Sequence, residues 1–272
     1  MDKKSLEQKA LAVRQDIIRE VYYAGSGHPG GSLSCADILT VLFFDEMNID
    51  PKKPNLKTRD KFVISKGHAA PCLYAVMAER GYFKTEELKT LRKYGSRLQG
   101  HPSMLSLPCL DMSSGSLGQG ISVATGMALA NKTDNNPGRV YSIVGDGELQ
   151  EGLVWEAVMA AAHYQLSNLC LFVDNNGLQI DGPNDKVMKV KPIDKKFAAF
   201  NWNVIKCDGH DVVDIKKALA AARKCKDKPS VIIAKTHKGM GVSFMKDNVG
   251  WHGKACNKEQ AIEALKELGG EL

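Results

Sequence analysis

The chain predicts an α/β fold: a doubly wound, mostly parallel sheet with helices on both faces. Three observations carry this reading. Short apolar runs alternate with amphipathic stretches along the whole length, the pattern of β-α-β units. Two runs, Val140–Val144 and Leu169–Val173, flank the helix-forming stretch from Glu151 to Gln165, and a right-handed crossover lays them parallel in one sheet. Both stop at turn residues, Gly145-Asp146-Gly147 and Asp174-Asn175-Asn176-Gly177.

The elements follow in order. Ser5 and Gln8 have capping-box spacing, and Leu6, Ala10, Val13, Ile17 and Val21 mark one face of a first helix that ends at Gly25 and Gly27. A second helix is expected from Ser34 to Met47, then a polar loop from Pro51 to Asp60. A short strand, Lys61–Ser65, leads to Lys66-Gly67-His68. Helices follow at Pro71–Arg80, closed by Gly81, and at Thr85–Tyr94. After the loop Ser114–Gly120 comes a helix from Ile121 to Ala130. Beyond the central unit, Asn203–Cys207 and Ser230–Lys235 read as strands around an amphipathic helix, Asp211–Lys224. A last helix begins at the capping-box pair Asn257 and Gln260 and ends at Gly269-Gly270.

A chain of 272 residues buries roughly three quarters of its unfolded surface, which suits one large domain spanning residues 1–272. Apolar and charged fractions of 43% and 25% are those of a soluble protein. The net charge of +6 is spread along the chain without aromatic interleaving, so it suits an anionic substrate and not a nucleic acid. The seven cysteines include no CxxC pair, which argues against structural zinc or a disulfide framework and for a reducing cytoplasm. The N-terminus has no signal-like apolar segment and no run has membrane-spanning length.

In an open α/β sheet, ligands bind at the carboxyl ends of the strands, where Asp146 and Asn176 both project. A carboxylate and a carboxamide are hard oxygen ligands suited to Mg²⁺ or Ca²⁺, and Mg²⁺ takes phosphate oxygens for its remaining positions, so a diphosphate is implied. Either turn alone would serve to reverse the chain. Together, 30 positions apart across one β-α-β unit, they favour a metal site. The glycines of Gly115-Ser116-Leu117-Gly118-Gln119-Gly120 precede a helix, where backbone N–H groups can approach an anion. Of seven histidines, His28, His68, His101, His210 and His252 lie beside glycine or at strand ends. As a set they offer neutral donors and acceptors to a polyhydroxylated substrate. His163 lies within a helix, in a packed or surface role.

The Gly-Asp-Gly turn with its distal Asn resembles the thiamin diphosphate-binding motif, and the fuller string GDGELQEGLVWEA resembles transketolase in particular. The resemblance implies that Asp146, Asn176 and the Leu178 carbonyl hold the metal, and that Gly147 lies against the diphosphate. It implies that Glu151 links the cofactors of paired sites and that Gly115, Ser116 and Leu117 line the cofactor. SGHPG, SKGH, GHP and WHG match four family segments. Through them His28 and His101 meet the donor sugar, while His68 and His252 lie at the cofactor phosphates and the substrate. Lys238 matches a cofactor lysine, and Lys254 is a weaker match. His237 and His210 match no catalytic position. Where many transketolases carry a small hydroxyl or glycine pair after SGHP, this chain has Gly30-Gly31, which implies no hydroxyl contact to the phosphate there.

The match covers about the first half of a transketolase; the glutamate that promotes the cofactor's imino form and the pyrimidine pocket belong to a second domain. The chain stops after a capped helix, as a finished domain would. The resemblance therefore implies the N-terminal subunit of a split transketolase, passing a two-carbon ketol unit from a ketose phosphate to an aldose. A separate C-terminal subunit would complete the site, in an α₂β₂ assembly. The rivals are the α-chain of a 2-oxo acid dehydrogenase E1 and a non-catalytic cofactor-binding subunit. Further off stands a nucleotide-phosphate enzyme, since no GxxxxGK[ST] occurs.

Overall fold

A computed structural model describes residues 1–272. Five parallel strands form the sheet: β1 (Lys61–Ile64), β2 (Val140–Gly145), β3 (Leu169–Asn175), β6 (Asn203–Asp208) and β7 (Ser230–Lys235), in the order β1-β2-β3-β7-β6. A two-residue hairpin pair, β4 (Leu178–Gln179) and β5 (Gly182–Pro183), stands outside it. The central unit forms as its apolar runs require, with β2 and β3 in parallel register from Val140 opposite Leu169 to Gly145 opposite Asp174.

Alternation along each strand builds two cores. Phe62, Ile64, Tyr141, Ile143, Cys170, Phe172, Ile232 and Ala234 face one side. There they meet apolar residues of α1 (Lys3–Ala24), α3 (Ala36–Val41), α4 (Ala70–Arg80), α9 (Val212–Lys224) and α10 (Lys258–Glu267). Val63, Val140, Val144, Leu169, Leu171, Val173, Val231 and Ile233 face the other, under α5 (Gln119–Thr133), α6 (Gly152–His163) and α8 (Ile193–Ala199). The short helices α2 (Pro29–Ser34) and α7 (Asn184–Val187) lie in the connections. Both faces of every central strand are covered, as an all-parallel sheet demands.

The structure departs from expectation at several element ends. Asp2 caps α1 by accepting the Ser5 N–H, so the helix starts before Ser5. The expected helix from Ser34 to Met47 is broken at Cys35 (φ −105°) into α2, α3 and a π turn at Leu42–Glu46. Thr85–Tyr94 is a 3₁₀ turn over Thr85–Thr90, ended by Arg92 in the left-handed region (φ 60°). The hairpin β4–β5 and the helices α7 and α8 carry too little periodicity to be read from sequence. The Asn257–Gln260 capping box forms as expected. All seven cysteines are free thiols. No helix is long and apolar enough to cross a membrane.

Candidate active site

The carboxyl ends of β1, β2, β3 and β7 converge on a cavity of about 390 Å³. Asp146, immediately after β2, is 2% exposed. Its Oδ2 accepts the Gly177 N–H at 2.6 Å and its Oδ1 the Gly147 N–H at 2.9 Å, so one carboxylate ties the two turns together. The Asn176 Oδ1 accepts the Leu178 N–H at 3.1 Å. Asp146, Asn176 and Leu178 all line the cavity, as do Gly147 and Glu151. Burial raises the Asp146 carboxyl to about 6, opposed by the Gly177 N–H.

Four imidazoles cluster beside this edge, tilted or edge-on to one another. Ring centroids lie 5.3 Å apart for His28–His68, 5.2 Å for His68–His252, 5.4 Å for His28–His252 and 6.4 Å for His28–His101. His68 and His252 line the cavity; His28 and His101 continue the cluster beyond it. Burial first, and then neighbouring cations, disfavour protonation. His28 is lowered to about 4, with Arg92 assisting, and His252 to about 4, with Lys238 assisting. His68 lies well below its ordinary value, and His101 is lowered. The cluster is therefore neutral at pH 7. Lys238 reaches the cavity with Nζ 2.9 Å from His252 Nδ1 and 3.3 Å from the Leu178 carbonyl. Burial, then Lys66, lowers it to about 8.

The remaining expected residues fall unevenly. Leu117 lines the cavity, but Gly115 sits against the His101 ring, where a Cβ would come 3.3 Å from Cδ2, and Ser116 is not part of the lining. Lys254 is exposed, lies over the Trp251 ring at 5.1 Å and is not part of the lining. His163 is the exposed last residue of α6 and not within its middle. Gly30 has a steric reason: a Cβ there would meet the Trp251 carbonyl oxygen at 2.7 Å and Lys238 Cγ at 3.0 Å.

Lys66 and Glu148 are among the wall residues not foreseen from the sequence, with Gln150, Gln179, Ile180, Asp181 and Val187. Lys66, 2% exposed, donates to the Gly31 carbonyl at 2.8 Å and pairs with the fully buried Asp174 at 2.5 Å. Asp174 also accepts the hydroxyls of Ser34 and Thr236, so it joins α2 to the ends of β1, β3 and β7. Burial alone would raise the Asp174 carboxyl; the Lys66 ammonium overrides it and holds it low. Glu148 accepts from the Ser65 hydroxyl and from the Gly118 and Gly145 N–H groups, at 2.5, 2.8 and 3.1 Å. It fastens the glycine loop to the Gly-Asp-Gly turn. The only signal for either was an ionisable residue next to a motif.

The residues fit a divalent metal and a diphosphate. No three His, Cys, Asp or Glu side chains converge as a metal cluster, and the three hard oxygens singled out from the sequence, the Asp146 carboxylate, the Asn176 carboxamide and the Leu178 carbonyl, all belong to residues that line the cavity. Asn184 stands 3% exposed beside Asp146, with neither amide atom in hydrogen-bonding geometry to any partner. Its Oδ1 lies 3.4 Å from where a Gly147 Cβ would be. The His28 Nδ1 is likewise buried without a partner. Such orphaned polar atoms beside a glycine cradle suit a polar ligand.

Residues 6–271 match the family described as "Transketolase, thiamine diphosphate binding domain". The chain is 41% identical over 263 residues to the 6-deoxy-6-sulfo-D-fructose transketolase subunit SqwG of Clostridium sp. (strain MSTE9), covering 97% of this chain and 96% of that protein. It is 38% identical over 268 residues to an apulose-4-phosphate transketolase subunit from Phocaeicola vulgatus, covering 98% and 95%. Against the transketolase of Homo sapiens it is 42% identical over 98% of this chain but only 42% of that one. The solved transketolase of Campylobacter jejuni superposes with a TM-score of 0.93 at 33% identity, over all of this chain and 44% of that chain.

Proposed function

This chain belongs to the transketolase family, and from that premise we propose that it is the N-terminal, diphosphate-binding subunit of a two-chain transketolase. The whole of residues 1–272 serves as one cofactor-binding unit. Asp146, Asn176 and the Leu178 carbonyl hold Mg²⁺ (or Ca²⁺), which in turn holds the diphosphate of thiamin diphosphate. When bound, the cofactor supplies carbon–carbon cleavage and the electron sink. The full-length relatives that share this half carry more than twice its length, and two relatives of its own length are named as subunits. These facts support a separate C-terminal subunit, which in this reading brings the pyrimidine site; the α₂β₂ assembly and the cytoplasmic location belong to the proposal alone.

The chain's own residues bind and orient. Gly147 lets the diphosphate approach, Leu117 and Glu151 bound the cavity, and Lys238 donates to phosphate oxygens. His68 and His252 accept or give protons where cofactor and sugar meet; His28 and His101 orient the donor sugar's hydroxyls. The single observation that carries the sugar reading is the neutral four-histidine cluster at the cavity. Uncharged imidazoles each offer one donor and one acceptor, the complement of a polyol. A ketose phosphate as donor and an aldose as acceptor fit this site. The test is calorimetric titration with thiamin diphosphate and Mg²⁺, using the chain with its partner. Asp146→Ala removes one of few protein ligands, and a loss of about a hundredfold or more is expected, on the order of 3 kcal/mol. Unchanged affinity would remove Asp146 from the metal.

A further inference from the structure

The two histidines that match no catalytic position of the family, His210 and His237, form a connected chain behind the cavity. Arg14 of α1 clamps Asp37 of α3 through both guanidinium ends and also donates from Nε to the Met240 carbonyl at 3.3 Å. Asp37 Oδ2 lies 2.8 Å from His210 Nδ1. On its other side, the His210 Nε2 accepts the backbone N–H of His237 at 2.9 Å. An imidazole that accepts at Nε2 carries its proton on Nδ1, so His210 donates to Asp37. The next residue in the chain is Lys238.

We propose that His210 is a positioning residue for Lys238: it fixes the backbone from which that lysine reaches into the cofactor cavity. The strand-end turns after β6 and β7 approach closely enough for this link, since a Cβ on Gly209 would lie 2.4 Å from Thr236 Cγ2. Besides the Thr236 N–H and hydroxyl, which go to Asn175 and Asp174, and the Gly239 carbonyl, which accepts from Val242, three backbone contacts hold the Lys238 segment. His237 N–H goes to His210, the Lys238 carbonyl accepts the Asp247 N–H at 2.8 Å, and the Gly239 N–H donates to the Gly30 carbonyl at 2.9 Å. Only the first uses a side chain, and it traces back through Asp37 to α1 and α3. The His237 ring lies nearly parallel to that of His210, with centroids 5.8 Å apart, and its Nδ1 meets Asp247 Oδ2 at 2.9 Å. Lys238 is 2% exposed and its Nζ meets both His252 and the Leu178 carbonyl. A long side chain threaded through so tight a passage is aimed by its backbone. A shift of about 1 Å there is enough to misplace a catalytic contact.

The inference rests on the reading that Lys238 faces the cofactor, and the test separates the two. In the assembled two-chain complex, His210→Asn keeps an N–H at the δ position for Asp37 but is too short to accept from His237. His210→Gln carries its amide oxygen far enough to do so. Two readouts apply: thiamin diphosphate affinity with Mg²⁺ by calorimetry, and hydrogen exchange of the His237 amide without cofactor. His210→Asn is expected to weaken cofactor binding about tenfold and to speed His237 exchange by about as much, while His210→Gln stays within about threefold on both. On a Lys238→Met background, His210→Asn should cost nothing further, because both act through one contact. Losses that multiply in the double variant, or His237 exchange unchanged in His210→Asn, would overturn the positioning role. A wild-type complex that binds no thiamin diphosphate would instead overturn the functional reading, and the exchange comparison would still decide the role of His210.

Discussion

Replacing Lys66 by methionine removes one charge from the wall of the cavity while keeping most of the side-chain volume. The ammonium is 2% exposed and its partner Asp174 is fully buried. The substitution leaves the carboxylate with the Ser34 and Thr236 hydroxyls as its strong donors and takes the ammonium donor from the Gly31 carbonyl, which keeps the Ser34 hydroxyl within 3.0 Å. Breaking a buried pair by removing one member costs about 3–5 kcal/mol. Two remaining hydroxyl donors place this case at the low end, near 3 kcal/mol. For a chain of this size, that lowers the midpoint of thermal unfolding by about 6–12 °C, at 2–4 °C per kcal/mol. The sign with pH follows from both partners. The folded carboxyl is depressed, so its contribution is present above about pH 4 and is lost as pH falls through the folded value. The folded ammonium is raised, so its contribution holds below about pH 10 and is lost as pH rises through its folded value. The deficit of Lys66→Met should therefore be flat across neutral pH. Circular dichroism melts at pH 7.5 measure it. Adding Asp174→Asn should recover part of the loss, because the stranded charge is gone. A drop of less than about 2 °C, or a double variant no better than the single one, would refute the reasoning.

Two further outcomes follow from the same geometry. His28 and His252, both lowered to about 4, should remain neutral when imidazole shifts are followed by NMR from pH 8 to pH 5. Their folded values lie below the unfolded one near 6.5, so they favour the fold above that pH and cost stability as it falls toward 4; titration near 6.5 would show the cluster to be solvated. Glu148→Gln turns one acceptor into a donor that faces an N–H or hydroxyl already donating to it. A loss of about 1–3 kcal/mol in a denaturant melt is expected, and no change would mean the glycine loop is held by other contacts.

What the sequence disclosed was local. Asp146 and Asn176 stand directly after apolar runs, and the parallel pairing of β2 with β3 brings Gly145 opposite Asp174. The strand ends thus fell where hydrophobic runs gave out, and the motif residues came with them. The histidine segments were legible as strings, but their common cluster was not, since residues 28, 68, 101 and 252 meet only through the fold. The hidden residues are those whose chemistry depends on a distant partner. Lys66 and Asp174 are 108 positions apart, and Glu148 finds Ser65 83 positions away. Nothing in the periodicity near Cys35 foretold that α2 and α3 would part there, next to the Ser34 hydroxyl that Asp174 accepts from 140 positions away. His210 belongs with this group: its neighbours in sequence are a turn, and its partners are an aspartate from α3 and a backbone amide after β7.

The most direct measurement of the central claim is ketol transfer from xylulose 5-phosphate to ribose 5-phosphate, with thiamin diphosphate and Mg²⁺, by this chain alone and by the chain co-purified with the C-terminal subunit. Sulfonated and branched ketoses belong in the same assay as alternative donors. Turnover is expected only in the pair, and is expected to be lost in the pair carrying Asp146→Ala. Full-rate turnover by this chain alone would contradict the divided site. A cofactor-loaded pair that turned over none of the ketoses but decarboxylated 2-oxo acids would contradict the sugar reading.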